Sequence, residues 1–258
     1  MPKPSLVAQQ AAKAAEPLDP INLPALPASV QVGSIEVGDP GAQPGGYYIG
    51  FLHSRSSNYQ RSLLEVPGVQ EGDPILTLPN GLVKLAPFKF FLLQAKHYWA
   101  SISDAGLLVE TSAIGLRDRP ELKEHIDTIM LAFLPDGKLA PATCTFKTTK
   151  IGAAHKIVQA IKLAATEGWF KLSPAHAATA TASQPWLRVT ATVSVRPYIG
   201  KASGRKSFIA DSVVNPSQAA DWVAVVEFFK DEANKDVLSI VGDNFNKRMA
   251  EVKAKMKS

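Results

Sequence analysis

The chain has 258 residues, a net charge of +5 and 46% hydrophobic residues, enough apolar material for one large domain or two small ones. No apolar run approaches the ~20 residues that a membrane-spanning helix needs, and its one cysteine, Cys144, excludes an internal disulfide or a cysteine-built zinc site within one chain. From Lys138 to Lys206 eleven basic residues accompany a single acid, Glu167, a net of +10 that leaves −5 for the remainder, and a field so lopsided favours a polyanionic partner.

Residues 1–45 are rich in Ala, Pro and Gly. Prolines withhold backbone donors, and the stretch has too few large apolar groups to offset chain entropy. It reads as an extended or disordered arm, with a short helix near Leu6–Ala15 and an edge strand at Val30–Val37 as local options. Met1–Glu16 has no continuous apolar stretch and no arginine, so neither a secretory signal nor a mitochondrial transit peptide is expected, and the cytoplasm is the expected compartment.

An ordered core is expected over 46–214. Tyr47–Phe51 is strand-like, and Leu52–Arg61 is polar and basic, hence a loop. Ile75–Leu78 and Leu82–Leu85 flank Pro79-Asn80-Gly81, where Asn-Gly is favoured turn chemistry for a hairpin. Phe88–Trp99 is an aromatic-basic run, mostly core, whose end from Lys96 to Trp99 could reach the surface. Leu122–Phe133 fits both periods: Leu122, Ile126, Ile129, Met130 and Phe133 have helical spacing, yet Thr128–Leu134 would enter a Pro135-Asp136-Gly137 turn as a strand. A strand, or a helix passing into one, is the better reading, because Leu139–Lys147 then makes a hairpin partner. Cys144 sits in that partner as a small buried hydrophobe. His155–Ala165 is an amphipathic helix with Ile157, Ala160, Ile161 and Ala164 as its stripe.

Trp186–Tyr198 alternates without a break. Leu187, Val189, Ala191, Val193 and Val195 share one parity, which would face a core. Trp186, Arg188, Thr190, Thr192, Ser194, Arg196 and Tyr198 share the other, which would face solvent. A glycine-containing cationic loop with Lys201, Arg205 and Lys206 follows, and Ser207–Val214 returns as a second strand. Exposed rings can stack on bases while Lys and Arg follow phosphates. The candidate nucleic-acid-binding residues are therefore Trp186, Arg188, Arg196, Tyr198, Lys201, Arg205 and Lys206, flanked by Lys147 and Lys150. An ordinary half-exposed strand would also use Thr, Arg and Trp; the charge of the surrounding segment is what favours the binding reading.

Over 215–258 a C-terminal helical pair is expected. Asn215 would cap the first helix with Pro216 at its first position. Trp222, Val225, Val226 and Phe229 would form its stripe. In the second, Leu238, Val241, Phe245, Met249, Val252 and Met256 make a heptad-like seam that packs on the core or joins two subunits.

The order over Gly137–Pro216 is strand, helix, long strand, basic glycine-containing loop, return strand. That layout resembles phage-type single-stranded DNA-binding proteins built on an OB-like barrel in which a helix interrupts the strands. The resemblance implies an α+β fold with an OB-like antiparallel β-barrel, and binding to single-stranded DNA during replication or recombination with little sequence preference. The chain departs from that family's acidic tail, ending Lys253-Ala254-Lys255-Met256-Lys257. DNA is favoured over RNA, and no cofactor and no metal are expected. The alternative of another class is a structural or assembly protein, such as a phage particle component, with its basic face on a protein partner.

Catalytic signatures are missing. Gly200–Ser207 lacks P-loop spacing and runs from strand to strand. There is no Gly-x-Ser-x-Gly elbow and no His-Glu-x-x-His pair. Glu65, Glu71 and Asp73, the nearest approach to a carboxylate cluster, read as turn residues. The histidines His53, His97, His125, His155 and His176 are widely separated, none with an acidic partner at ligand spacing. A non-enzymatic binding protein is the expectation.

Overall fold

The computed structural model describes residues 47–52, 68–79, 81–103, 107–115, 119–166, 189–199 and 206–256. The expected N-terminal arm and nearly all of the Leu52–Arg61 loop lie outside them. The described strands are β1 (Tyr48–Phe51), β2 (Pro74–Leu78), β3 (Gly81–Lys84), β4 (Phe88–Ile102), β5 (Leu108–Ser112), β6 (Lys123–Phe133), β7 (Leu139–Lys147), β8 (Val189–Ile199) and β9 (Lys206–Pro216). Among the described residues there are three α-helices: α1 (Ile151–Thr166), α2 (Ala219–Lys230) and α3 (Glu232–Ala254). The protein is α+β, its strands forming one sheet that curls into a half-barrel. Strand order is β3-β2-β1-β7-β6-β4-β8-β9, with β5 beside β4. Every pairing is antiparallel except β1 with β7.

The ambiguous segment is a strand. β6 lies between β7 and β4, and every residue from His125 to Ala132 is buried. A strand covered on both faces reads as a continuous apolar run, and this is why helical spacing also fitted it. Ile126, Met130 and Ala132 face the concave side, where α1 packs with Phe88, Phe90, Phe146 and Ala191. Ile129 and Leu131 face the outer side, against Trp222, Val225 and Phe228 of α2 and Leu238, Val241 and Phe245 of α3. The turn Pro135-Asp136-Gly137 joins β6 to β7 as expected: Gly137 takes φ 83° and Leu134 N–H donates to the Lys138 carbonyl at 2.8 Å. Cys144 is buried in β7, and burial pushes its thiol well above the ordinary range.

β4 contains a bulge. Leu92 pairs with Met130 but Gln94 with Ile129, so Leu93 is an extra residue. Side-chain parity therefore inverts. Before the bulge Phe88, Phe90 and Leu92 face the concave side; after it Ala95 does, and His97 and Trp99 follow by register with Ile126 and Glu124. Tyr98 goes to the outer side.

Two helix details differ from the sequence reading. Asn215 and Pro216 do not start α2; they end β9, paired with Thr190 and Val189, because β8 still offers partners there. The helix begins after Gln218, whose N–H donates to the Asp221 carboxylate at 2.9 Å. Its buried stripe is Trp222, Val225 and Phe228 rather than the row ending at Phe229. In α3 the seam turns inward: Leu238, Val241, Phe245 and Val252 are buried against the sheet, and Met249 packs beside them. Phe245→Ala should thus cost about 3–5 kcal/mol of stability, independent of protein concentration. Urea unfolding at two concentrations measures this; a small, concentration-dependent loss would mean a subunit seam instead.

Candidate functional site

Only three residues of β8, Ala191 to Val193, pair with β4. From Ser194 to Ile199 the strand pairs with β9 alone, so the two run on as a two-stranded ribbon past the start of β4. The ribbon's inner side is packed: Phe208 and Ala210 are buried. A Cβ on Gly72 would come within 2.7 Å of the Phe208 ring, so this glycine (φ 92°) is where the turn before β2 presses on the ribbon. The outer side is open. Ser194 and Arg196 are exposed, and Tyr198 retains 38% of its surface.

The expected alternation holds in this outer half and fails at the inner end. Thr190 shares the parity of the solvent face but is only 2% exposed. The reason is α2, which covers that face: Lys89, paired with Thr192, makes an ion pair with Asp221 of α2. Of the other candidates, Trp186, Arg188, Lys201 and Arg205 lie outside the described residues, and Lys206 is described only as the backbone partner of Ile199.

The turn that carries the flanking lysines touches the ribbon through Thr149. Lys147 ends β7, and a 3-10 turn over Thr148–Lys150 follows, entered through Thr148 at φ 52°. Thr149 donates its hydroxyl to the Phe208 carbonyl, and Phe208 pairs with Pro197. The turn is thereby fixed to the stretch of β9 that pairs with β8 between Arg196 and Tyr198. Lys147 is exposed, and Lys150 stands 5.3 Å from the Phe51 ring centroid. Burial, then the charge of Lys147, lowers the Lys150 ammonium from its ordinary value. Asp211, on β9 opposite Ser194, binds Lys156 of α1 at 2.6 Å. That hydrogen bond first, and the Ser212 N–H second, hold its carboxyl below the usual range.

A second constellation was missed in the sequence, where the histidines read as isolated. Glu124 Oε1 lies 2.7 Å from His97 Nε2 and 2.7 Å from His155 Nε2. The imidazoles stand edge to face, centroids 5.5 Å apart. One offered ligand atom from each of the three residues lies within 4.8 Å of the others, so among the described residues this is the group able to hold a metal ion. Spacing along the chain does not reveal it, because β4, β6 and α1 each supply one member and the β4 bulge decides which parity faces the concave side. By contrast Glu71 and Asp73 behave as turn residues: Asp73 accepts the Gln70 N–H at 2.8 Å and pairs with Lys84 at 2.7 Å.

A third polar group lies buried on the outer side and is a structural clip. Tyr98 donates its hydroxyl to Asp127 Oδ2 at 2.8 Å, and Arg248 of α3 approaches the same oxygen at 3.7 Å. Burial first, then the Asp127 charge, raises the phenol of Tyr98. His125 stacks on Tyr98 at 5.4 Å. Its Nδ1 lies 2.9 Å from the Lys123 carbonyl, which can only accept, so Nδ1 carries the proton. Nε2 has no hydrogen-bond partner among the described residues.

No protein-family model, no curated protein and no solved structure matches this chain. Among the described residues, no helix is long and apolar enough to cross a membrane.

Burial lowers the imidazole of His125 from its ordinary value. The unfolded chain then takes up this proton near pH 6.5, before the folded chain does, so stability is full above that pH and declines on acidification until the folded-state value is passed. The slope from this residue reaches at most about 1.4 kcal/mol per pH unit. Thermal midpoints of wild type and His125→Phe from pH 7.5 to 5 should converge as the pH falls, the variant showing the shallower decline. Parallel curves would mean that His125 takes up its proton as readily in the folded protein as in the unfolded chain.

Proposed function

We propose that this chain binds single-stranded nucleic acid, DNA ahead of RNA, with little sequence preference, as a binding protein of replication or recombination rather than an enzyme. The observation that carries the reading is the open outer side of the β8–β9 ribbon. An arginine and a tyrosine two residues apart lie on one strand face, beyond the body of the sheet and beside the Lys147–Lys150 turn. Stacking needs a ring with a free face, and phosphate tracking needs cations along the same path. The chain that joins β8 to β9 adds Lys201 and Arg205 to this end by sequence. Trp186 and Arg188 belong to the proposal by sequence alone, because Thr190, between them and Arg196 on the same parity, is buried. The OB-like reading belongs to the same proposal, and its support is the curled sheet interrupted by α1 between β7 and β8.

Fluorescence anisotropy with labelled oligo-dT tests it. With about five to eight phosphates contacted, log K should fall against log salt with a slope of roughly −3.5 to −6. Arg196→Ala should weaken binding and make the slope shallower by up to about one unit. Tyr198→Ala should cost about 1–3 kcal/mol of binding and leave the slope unchanged. No binding at low salt would end the proposal, and equal binding by both variants and wild type would move the interface off the ribbon.

A further inference from the structure

We infer that His97, Glu124 and His155 form a binding site for one divalent first-row transition metal, zinc in the first instance. Both Nε2 atoms converge on a single carboxylate oxygen at 2.7 Å. Without a metal, each imidazole must spend its Nε2 proton on that oxygen; a cation replaces the two protons and takes the three donors as ligands. Two imidazoles and a carboxylate suit Zn, Cu, Ni or Fe, whereas Ca and Mg ask for more oxygen ligands. Zinc accepts three protein ligands with water in the fourth position.

The surroundings leave room for that water. The side chains of His97 and His155 keep 44% and 50% of their surface, while Glu124 keeps 21%. Trp99, paired with Glu124 across the strands and 6.3 Å from the His97 ring, forms an apolar wall. Gly115 closes against that indole, where a Cβ would approach to 2.8 Å. The neighbouring cation does not compete for Glu124, because Lys156 is engaged by Asp211 at 2.6 Å. The ligands are drawn from two adjacent strands and from the helix laid across them. A bound ion would cross-link α1 to the β4–β6 pair.

The experiment uses the full chain stripped with chelator and titrated with cobalt(II), whose visible absorption is strong only at low coordination number, followed by displacement with zinc(II). The inference requires saturation at one equivalent, loss of the signal on adding zinc, and a zinc-dependent rise in thermal midpoint. Glu124→Gln and His155→Ala should each weaken cobalt binding by at least about tenfold. His53→Ala and His176→Ala should leave it unchanged. Circular dichroism of the metal-free variants checks folding, and His97→Gln replaces His155→Ala if the latter does not fold. The inference is overturned if cobalt gives only the weak spectrum of the hydrated ion. It is equally overturned if the signal survives the substitutions at Glu124 and His155, or disappears with His53 or His176.

Discussion

From His125 to Ala132, β6 has no side that meets water. A strand in that position needs an apolar layer above and below it, and its polar side chains need partners inside the protein. The concave layer is supplied by α1 and the inward side chains of β4, β7 and β8; the outer layer is supplied by α2 and α3. Thr128 gives its hydroxyl to the Cys144 carbonyl at 2.8 Å, and Asp127 is met by Tyr98 and Arg248. The C-terminal helices are therefore part of the core: without α3, Asp127 would be a buried carboxylate deprived of its nearest cation.

Both proposed surfaces hang on the same frame and share one helix. Consecutive residues of α1 reach in two directions, His155 to Glu124 at the start of β6 and Lys156 to Asp211 on β9. Ser212 adds a hydrogen bond to the Ala153 carbonyl at 3.0 Å. The ribbon and the histidine cluster are thus fastened to one rigid rod, although the ribbon ends the sheet and β4 and β6 lie in its interior. Ala153 and Ala154, both buried, are the small side chains that let this rod lie close to the strands.

The elements that sequence made legible are those whose pattern answers to one local rule. The β2–β3 and β6–β7 hairpins follow from turn chemistry, and α1, α2 and α3 from apolar spacing. The outer half of the Trp186–Tyr198 alternation follows from period two, since Ser194 to Tyr198 has only one packed side. Thr190 escapes that rule because α2, which begins 29 positions further along the chain, folds over its face through Asp221 and Lys89. The α2 start was misread because Asn215-Pro216 is good capping chemistry whose competitor, continued pairing with β8, is a tertiary matter. The histidine cluster is illegible for a stronger reason: its members stand 27 and 31 positions apart (97 to 124, 124 to 155), beyond the reach of any local motif.

His97 and Tyr98 are adjacent in the chain and separated by the whole thickness of the sheet, one toward α1 and the other toward α3. The single supernumerary residue between Leu92 and Gln94 sets that division. β4 is in this sense written in two reading frames, with the shift falling inside a buried strand. Loss of one residue there would not shorten the strand so much as exchange its contents: an imidazole would be carried into the apolar outer layer, and a phenol that needs Asp127 would be carried into the concave side. Substitutions in β4 are thus absorbed one position at a time, while length changes are felt in both layers at once. In the descent of this protein, β4 should tolerate changes of letter and almost none of count.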